Sequence, residues 1–275
     1  MSNLKAQSDF SSNYTISNHN EVNTYYDEMS FCPSTEAIFF VSSARGLKDE
    51  NDVWKGSGGQ MELFMYNQSG FIPFADVNLS FHHGPVSVQN ESIFYFTAID
   101  NKTNGNYTSY ISKLEVIQHN TVATNVFKTD QYSFRDPSIS KDGRFMYFSS
   151  DMPGGYGGFD LYMSFREDGK WSAPINLGAG VNTDKDETSP FYHEASGRVF
   201  FTSGGHDSFG GTDIFYCFNQ GDSWTNAVNI GNSINSSNNE TSIYFDDQLQ
   251  SGYVASDKKS GKGGYDIYKI ERKVE

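Results

Sequence analysis

Charged and titratable side chains recur near the starts of repeated units in this sequence: Asp27, His82 and His83, Arg135 and Asp136, Glu187 and Glu240. Two carboxylates facing one another across an opening are what glycoside hydrolysis or a related lyase reaction needs. A mixed ring of this kind can also hold a peptide, a glycan or a cation without turning anything over. The same acids have a plainer use as acceptors that cap backbone N–H groups and tie neighbouring units together. Glu187 and Glu240, each followed by Thr-Ser at one repeat position, fit that use well. His82 and His83 break the repeat pattern, but adjacent residues on a strand point to opposite faces, so one of them at most faces a central opening.

A second acidic set is more regular. Asp160, Asp213 and Asp266 stand 53 residues apart, each behind a double glycine and ahead of an apolar pair. One such residue per unit at a single radius keeps them apart, so the spacing predicts acceptors for the preceding glycine loops rather than a metal or catalytic cluster. Those loops bring Tyr156 and His206 to the same face and so into the expected binding set. They lack the following helix and lysine of a phosphate-binding loop. No nucleophile elbow and no His-x-x-x-His pair occurs. Cys32 and Cys217 fall in different repeats and different strands, which argues against a disulfide and for two small core residues.

The elements that must position these residues are set by the repeat itself. Units starting near 27, 82, 134, 187 and 240 each carry a short apolar strand, a turn and a second apolar strand ending in small residues. In the third, Pro137–Ser140, Phe145–Ser150, Phe159–Arg166 and Trp171–Leu177 read as four strands joined by turns at Lys141–Arg144 and Asp168-Gly169. Four antiparallel strands at a period of this length predict an all-β, five-bladed β-propeller in one domain spanning residues 1–275. The fifth unit stops after its third strand, whereas Asn13–Thr24 resembles a fourth strand. Val22-Asn23-Thr24 matches Val181-Asn182-Thr183. The N-terminal strand is therefore expected to complete the last blade and close the ring.

Composition narrows the function. A formal net charge of −14 argues against nucleic acid and anionic membrane as partners. A calcium ion remains compatible with the acidic loops, though no cofactor is required. No apolar run reaches the length of a membrane span.

The units from Phe134 to Asp184 and from Glu187 to Ser237 resemble the WD40-like repeat of TolB-type β-propellers, closest to the form in periplasmic OmpA-family proteins of Bacteroidetes linked to gliding and type IX secretion. That resemblance implies an exported, periplasmic or envelope-associated monomer that contacts envelope proteins or glycans through one propeller face. With every acid explained by the repeat, the expectation is a non-catalytic scaffold. The alternative is a five-bladed glycoside hydrolase or lyase using acids at the pore mouth.

Overall fold

The computed structural model describes residues 10, 13–34, 37–48, 54–56, 61–68, 70–73, 82–101, 107–117, 120–221 and 223–273. Five small antiparallel sheets are arranged as a five-bladed β-propeller. The first blade runs Glu28–Pro33, Ile38–Ser42, Glu62–Asn67, Gly70–Pro73, and the second His82–Asn90, Ile93–Asn101, Tyr107–Ile117, Asn120–Phe127. The third has Phe134–Ile139, Phe145–Ser150 and Asp160–Glu167, with Lys170–Trp171 and Ile175–Asn176 sharing its outer edge. The fourth is Glu187–His193, Arg198–Ser203, Asp213–Phe218, Val228–Asn229.

The fifth blade takes its inner strands from Glu240–Phe245, Ser251–Ser256 and Asp266–Arg272 and its outer strand from Tyr14–Asn18. Tyr14 lies opposite Arg272 and Asn18 opposite Tyr268 in antiparallel register. The chain therefore closes its ring with its own beginning, leaving that edge paired rather than open. A side-chain clamp reinforces the seam. The Asn23 amide donates to the Ile267 carbonyl at 2.7 Å and its Oδ1 accepts the Ile267 N–H at 2.8 Å. Asn182 makes the same pair of bonds with Leu161, and Asn235 with Ile214.

Alternating side chains along each strand put one apolar set on either face, and each face packs on the next blade. The buried core falls into five clusters, one at each blade junction. Phe148 and Tyr162 of the third blade meet Tyr95 and Ile111 of the second, while Phe201 and Phe215 of the fourth meet Tyr147 and Leu161 of the third. Burying a Phe or Leu in this way contributes about 2–3 kcal/mol.

One correction concerns register. Glu187 pairs with Ser203 and Glu240 with Ser256, but in the first blade Glu28, not Asp27, pairs with Ser42. The first hairpin is two residues shorter than its counterparts, so an ungapped alignment misplaces each of its ends by one residue. Phe40 then occupies the position that Phe148 holds in the third blade.

Candidate functional site

The upper face, where the second strand leads to the third and the fourth to the next blade, holds most of the residues the sequence singled out. Among the described residues, the acids of this face hold backbone and hydroxyl groups in place. Glu187 is fully buried, and its Oε1 accepts the hydroxyls of Thr183 at 2.7 Å and Ser203 at 2.6 Å while Oε2 accepts the Thr183 N–H at 2.7 Å. Glu240 repeats the arrangement with Ser236 and Ser256, and Glu28 with Thr24 and Ser42. Burial pushes the Glu28 carboxyl up to about 7 and raises that of Glu187, against the pull of these hydrogen bonds. Among the described residues, Lys258 Nζ lies 3.7 Å from the Glu240 carboxylate.

Asp27 accepts the Tyr265 N–H at 2.8 Å, and Asp186 accepts that of Phe159 at 2.8 Å, each tying one blade to the loop of its neighbour. Asp160 accepts the N–H groups of Tyr156 and Gly157, and Asp213 those of Phe209 and Gly210. A Cβ on Gly157 or Gly210 would run into a backbone carbonyl of the following blade's entry loop, at Lys185 or Asn238, which is why the glycines recur. Tyr156 itself is exposed, held out by this locked loop. His206 packs against the Phe215 ring, and its Nε2 donates to the Val181 carbonyl at 2.9 Å. His82 and His83 lie on a strand whose backbone is described, but their side chains fall outside the described residues.

Nearer the axis the first strands share a feature absent from the sequence reading. Ser30, Asp136, Ser189 and Ser242 have φ of 62°, 58°, 50° and 49°, the left-handed region that costs a non-glycine residue energy. Each sits at a bulge in its strand, which turns the side chain out of the pleat. The hydroxyls of Ser30 and Ser242 meet at 3.2 Å, and those of Ser242 and Ser189 at 3.5 Å. Asp136 continues the ring: its Oδ2 accepts the Ser189 N–H at 3.2 Å and the Ser149 hydroxyl at 2.9 Å. The Arg135 guanidinium lies 3.5 Å over the Phe159 ring, with Nε 3.4 Å from the same oxygen.

Below this waist the axis widens into a cavity of about 390 Å³ whose wall is supplied by the first strands of all five blades. It runs from Ser30, Ser189 and Ser242 to the hairpin turns on the lower face, the side opposite to the one the sequence singled out. Phe31, Phe191, Tyr192 and Tyr244 give it aromatic walls; Lys141, Glu194, Asp246 and Asp247 give it a charged rim.

Chemistry eliminates most groups here. Burial pushes the Cys32 thiol up to about 11 and the Tyr244 hydroxyl to about 12, so neither ionises near neutral pH. His193 is held neutral by burial and occupied on both nitrogens, by Ser196 Oγ at 2.7 Å and the Asp246 carbonyl at 2.8 Å. Burial works against the Asp246 carboxylate, but bonds from the Gln250 and Ser251 N–H groups and the Ser251 hydroxyl outweigh it and hold the group low, inside its own turn.

Glu194 and Asp247 remain, exposed on the hairpins of neighbouring blades. Both reach Lys141 from a third hairpin: Asp247 takes the ammonium on its two oxygens at 2.7 Å, and Glu194 Oε2 accepts the Lys141 N–H at 3.0 Å. These rim residues escaped the sequence reading because the residue type changes from Lys to Glu to Asp, although all three stand 53 residues apart at one repeat position.

No family model matches the chain, and no curated protein matches it. Solved structures do match in shape. A thermostable family-43 glycoside hydrolase is similar over 91% of this chain and 90% of its own, at 13% identity and a TM-score of 0.54. A GH43_1 enzyme from Xanthomonas citri is similar over 98% and 93%, at 11% identity and 0.53. TolB from Acinetobacter baumannii is similar over 90% of this chain and 55% of its own, at 14% identity and 0.47. At these identities the likeness shows the fold.

The β-propeller part of the repeat resemblance therefore stands, while its OmpA-family and type IX part has no match. The expectation of a non-catalytic scaffold is overturned by the same findings. It rested on the repeat accounting for every acid, yet rings matched over nine-tenths of both chains are glycoside hydrolases, so a regular repeat is no argument against catalysis. Among the described residues no helix is long and apolar enough to cross a membrane.

Proposed function

We propose that this protein is a glycan-cleaving five-bladed propeller, a hydrolase whose substrate enters the axial cavity from the lower face. One observation carries the reading: a cavity with aromatic walls whose rim brings two solvent-facing carboxylates, Glu194 and Asp247, from adjacent blades onto one residue, Lys141. Aromatic faces suit the apolar face of a pyranose ring, and the ring of hydroxyls at the waist suits its polar edge. A cavity of about 390 Å³ is within the usual range for a small-molecule or saccharide site. Hydrolysis then needs one carboxyl to protonate the leaving oxygen and the other to assist attack at the anomeric carbon.

The repeat resemblance supports an envelope or periplasmic setting, which makes a cell-envelope or extracellular glycan the natural substrate. Screening plant and bacterial polysaccharides for released reducing ends tests the proposal. Turnover that falls at least a hundredfold in both Glu194→Gln and Asp247→Asn supports it. No release from any polysaccharide sinks it.

A further inference from the structure

We infer that the sugar bound at the cavity rim carries a protonated amine, so that the substrate class is an amino-sugar glycan rather than a uronate polymer; this rests on the cavity being the glycan site proposed above. Among the described residues, the charged groups lining the cavity are one cation, Lys141, and three carboxylates, Glu194, Asp246 and Asp247. That single ammonium is already engaged, with both Asp247 oxygens at 2.7 Å. A uronate entering here meets an excess of negative charge and must first strip Lys141 from Asp247. The cost comes on top of the field of a chain with net charge −14.

A ligand ammonium meets the reverse situation. Asp247 is shown by its own contacts to accept a primary ammonium on both oxygens, and the side chain that fills this seat is exposed and free to swing away, since the pair is 67% and 52% accessible. An incoming amine takes the lysine's place on Asp247 like for like and adds a positive charge to an acidic rim, while Glu194, on the fourth blade's hairpin, holds the Lys141 backbone N–H at 3.0 Å. Tyr192 and Tyr244, packed on Tyr147 and Phe191, keep part of their surface open to the same cavity.

The test is a set of titrations by calorimetry below the amine pKa, using oligomers of equal length built from glucosamine, N-acetylglucosamine or galacturonate. The expected result is glucosamine binding about tenfold tighter than the N-acetyl oligomer, with galacturonate weakest. The preference should vanish in Asp247→Asn and grow in Lys141→Met, where the seat is vacated. Equal binding of the amine and N-acetyl oligomers, or galacturonate binding that is strongest and lost in Lys141→Met, overturns the inference. Reducing-end assays on the same oligomers separate the two readings: the binding order without turnover leaves the amino-sugar inference standing and removes the hydrolase, and turnover with the order reversed does the opposite.

Discussion

Glu187 and Ser203 meet at 2.6 Å, Oε1 to Oγ, across the wholly buried start of the fourth blade, and Glu240–Ser256 and Glu28–Ser42 repeat the contact at 2.8 and 2.9 Å. The acid at the start of the blade is thus a structural tie in three blades. Glu187→Ala strands the Thr183 N–H, the Thr183 hydroxyl and the Ser203 hydroxyl in a buried site, a loss of about 2–3 kcal/mol. Chemical denaturation should register that loss, while glycan turnover per folded molecule stays unchanged.

Stability should also respond to pH through Glu28. Its folded-state pKa is raised from 4.5 to about 7, so the protonated carboxyl is the form the fold prefers. The contribution is fully present below about pH 4.5, declines as pH rises, and is lost above about pH 7; Glu187, raised for the same reason, adds in the same direction. His19 and His193, lowered by burial, act oppositely at the acid end, since each must stay neutral in the fold. Melting temperatures of Glu28→Gln across this range should fall less steeply toward alkaline pH than those of the parent. Parallel curves would show that Glu28 carries no such load.

Ring closure is open to a direct cut. Deleting Met1–Asn23 removes the strand Tyr14–Asn18 from Asp266–Arg272 and the clamp of Asn23 on Ile267. The exposed edge should lower the melting temperature sharply and promote aggregation. Asn23→Ala alone removes two buried hydrogen bonds and should cost about 2 kcal/mol. Equal melting temperatures for the parent and the deletion would refute closure by this strand.

Lys141→Ala separates binding from stability. Its pairing with Asp247 is solvent-exposed, so the melting temperature should barely move, by the equivalent of less than about 1 kcal/mol. Oligosaccharide affinity should change, because the seat at the rim is altered. A large loss of stability would mean that the pair is a structural latch and not a binding rim.

What could be read from the sequence followed the strength of each periodic signal. Blade count, the Asn13–Thr24 segment as an outer strand, and Asp160 and Asp213 as loop acceptors all rest on positions that recur at a fixed spacing. The slip at Asp27 arose where a hairpin changed length, because spacing alone cannot say which end of a unit has moved. Lys141, Glu194 and Asp247 do recur, 53 residues apart at one turn position, but the residue type changes from unit to unit, so spacing alone did not mark them as a set. Equally hidden were the left-handed Ser30, Ser189 and Ser242, since serine announces no special backbone; only the proline after Asp136 and Ser189 hints at a bulge.

If the protein cleaves glycans as proposed, the chemistry lies at the lower-face cavity and not at the acids of the upper face. Reducing-end release from whichever glycan the parent protein cleaves should therefore be measured for Glu194→Gln, Asp247→Asn and Arg135→Ala, with folding checked by melting temperature. The account predicts that the first two abolish release and the third retains most of it. Full activity in both carboxylate variants, together with loss in Arg135→Ala, would contradict it and return the site to the upper face.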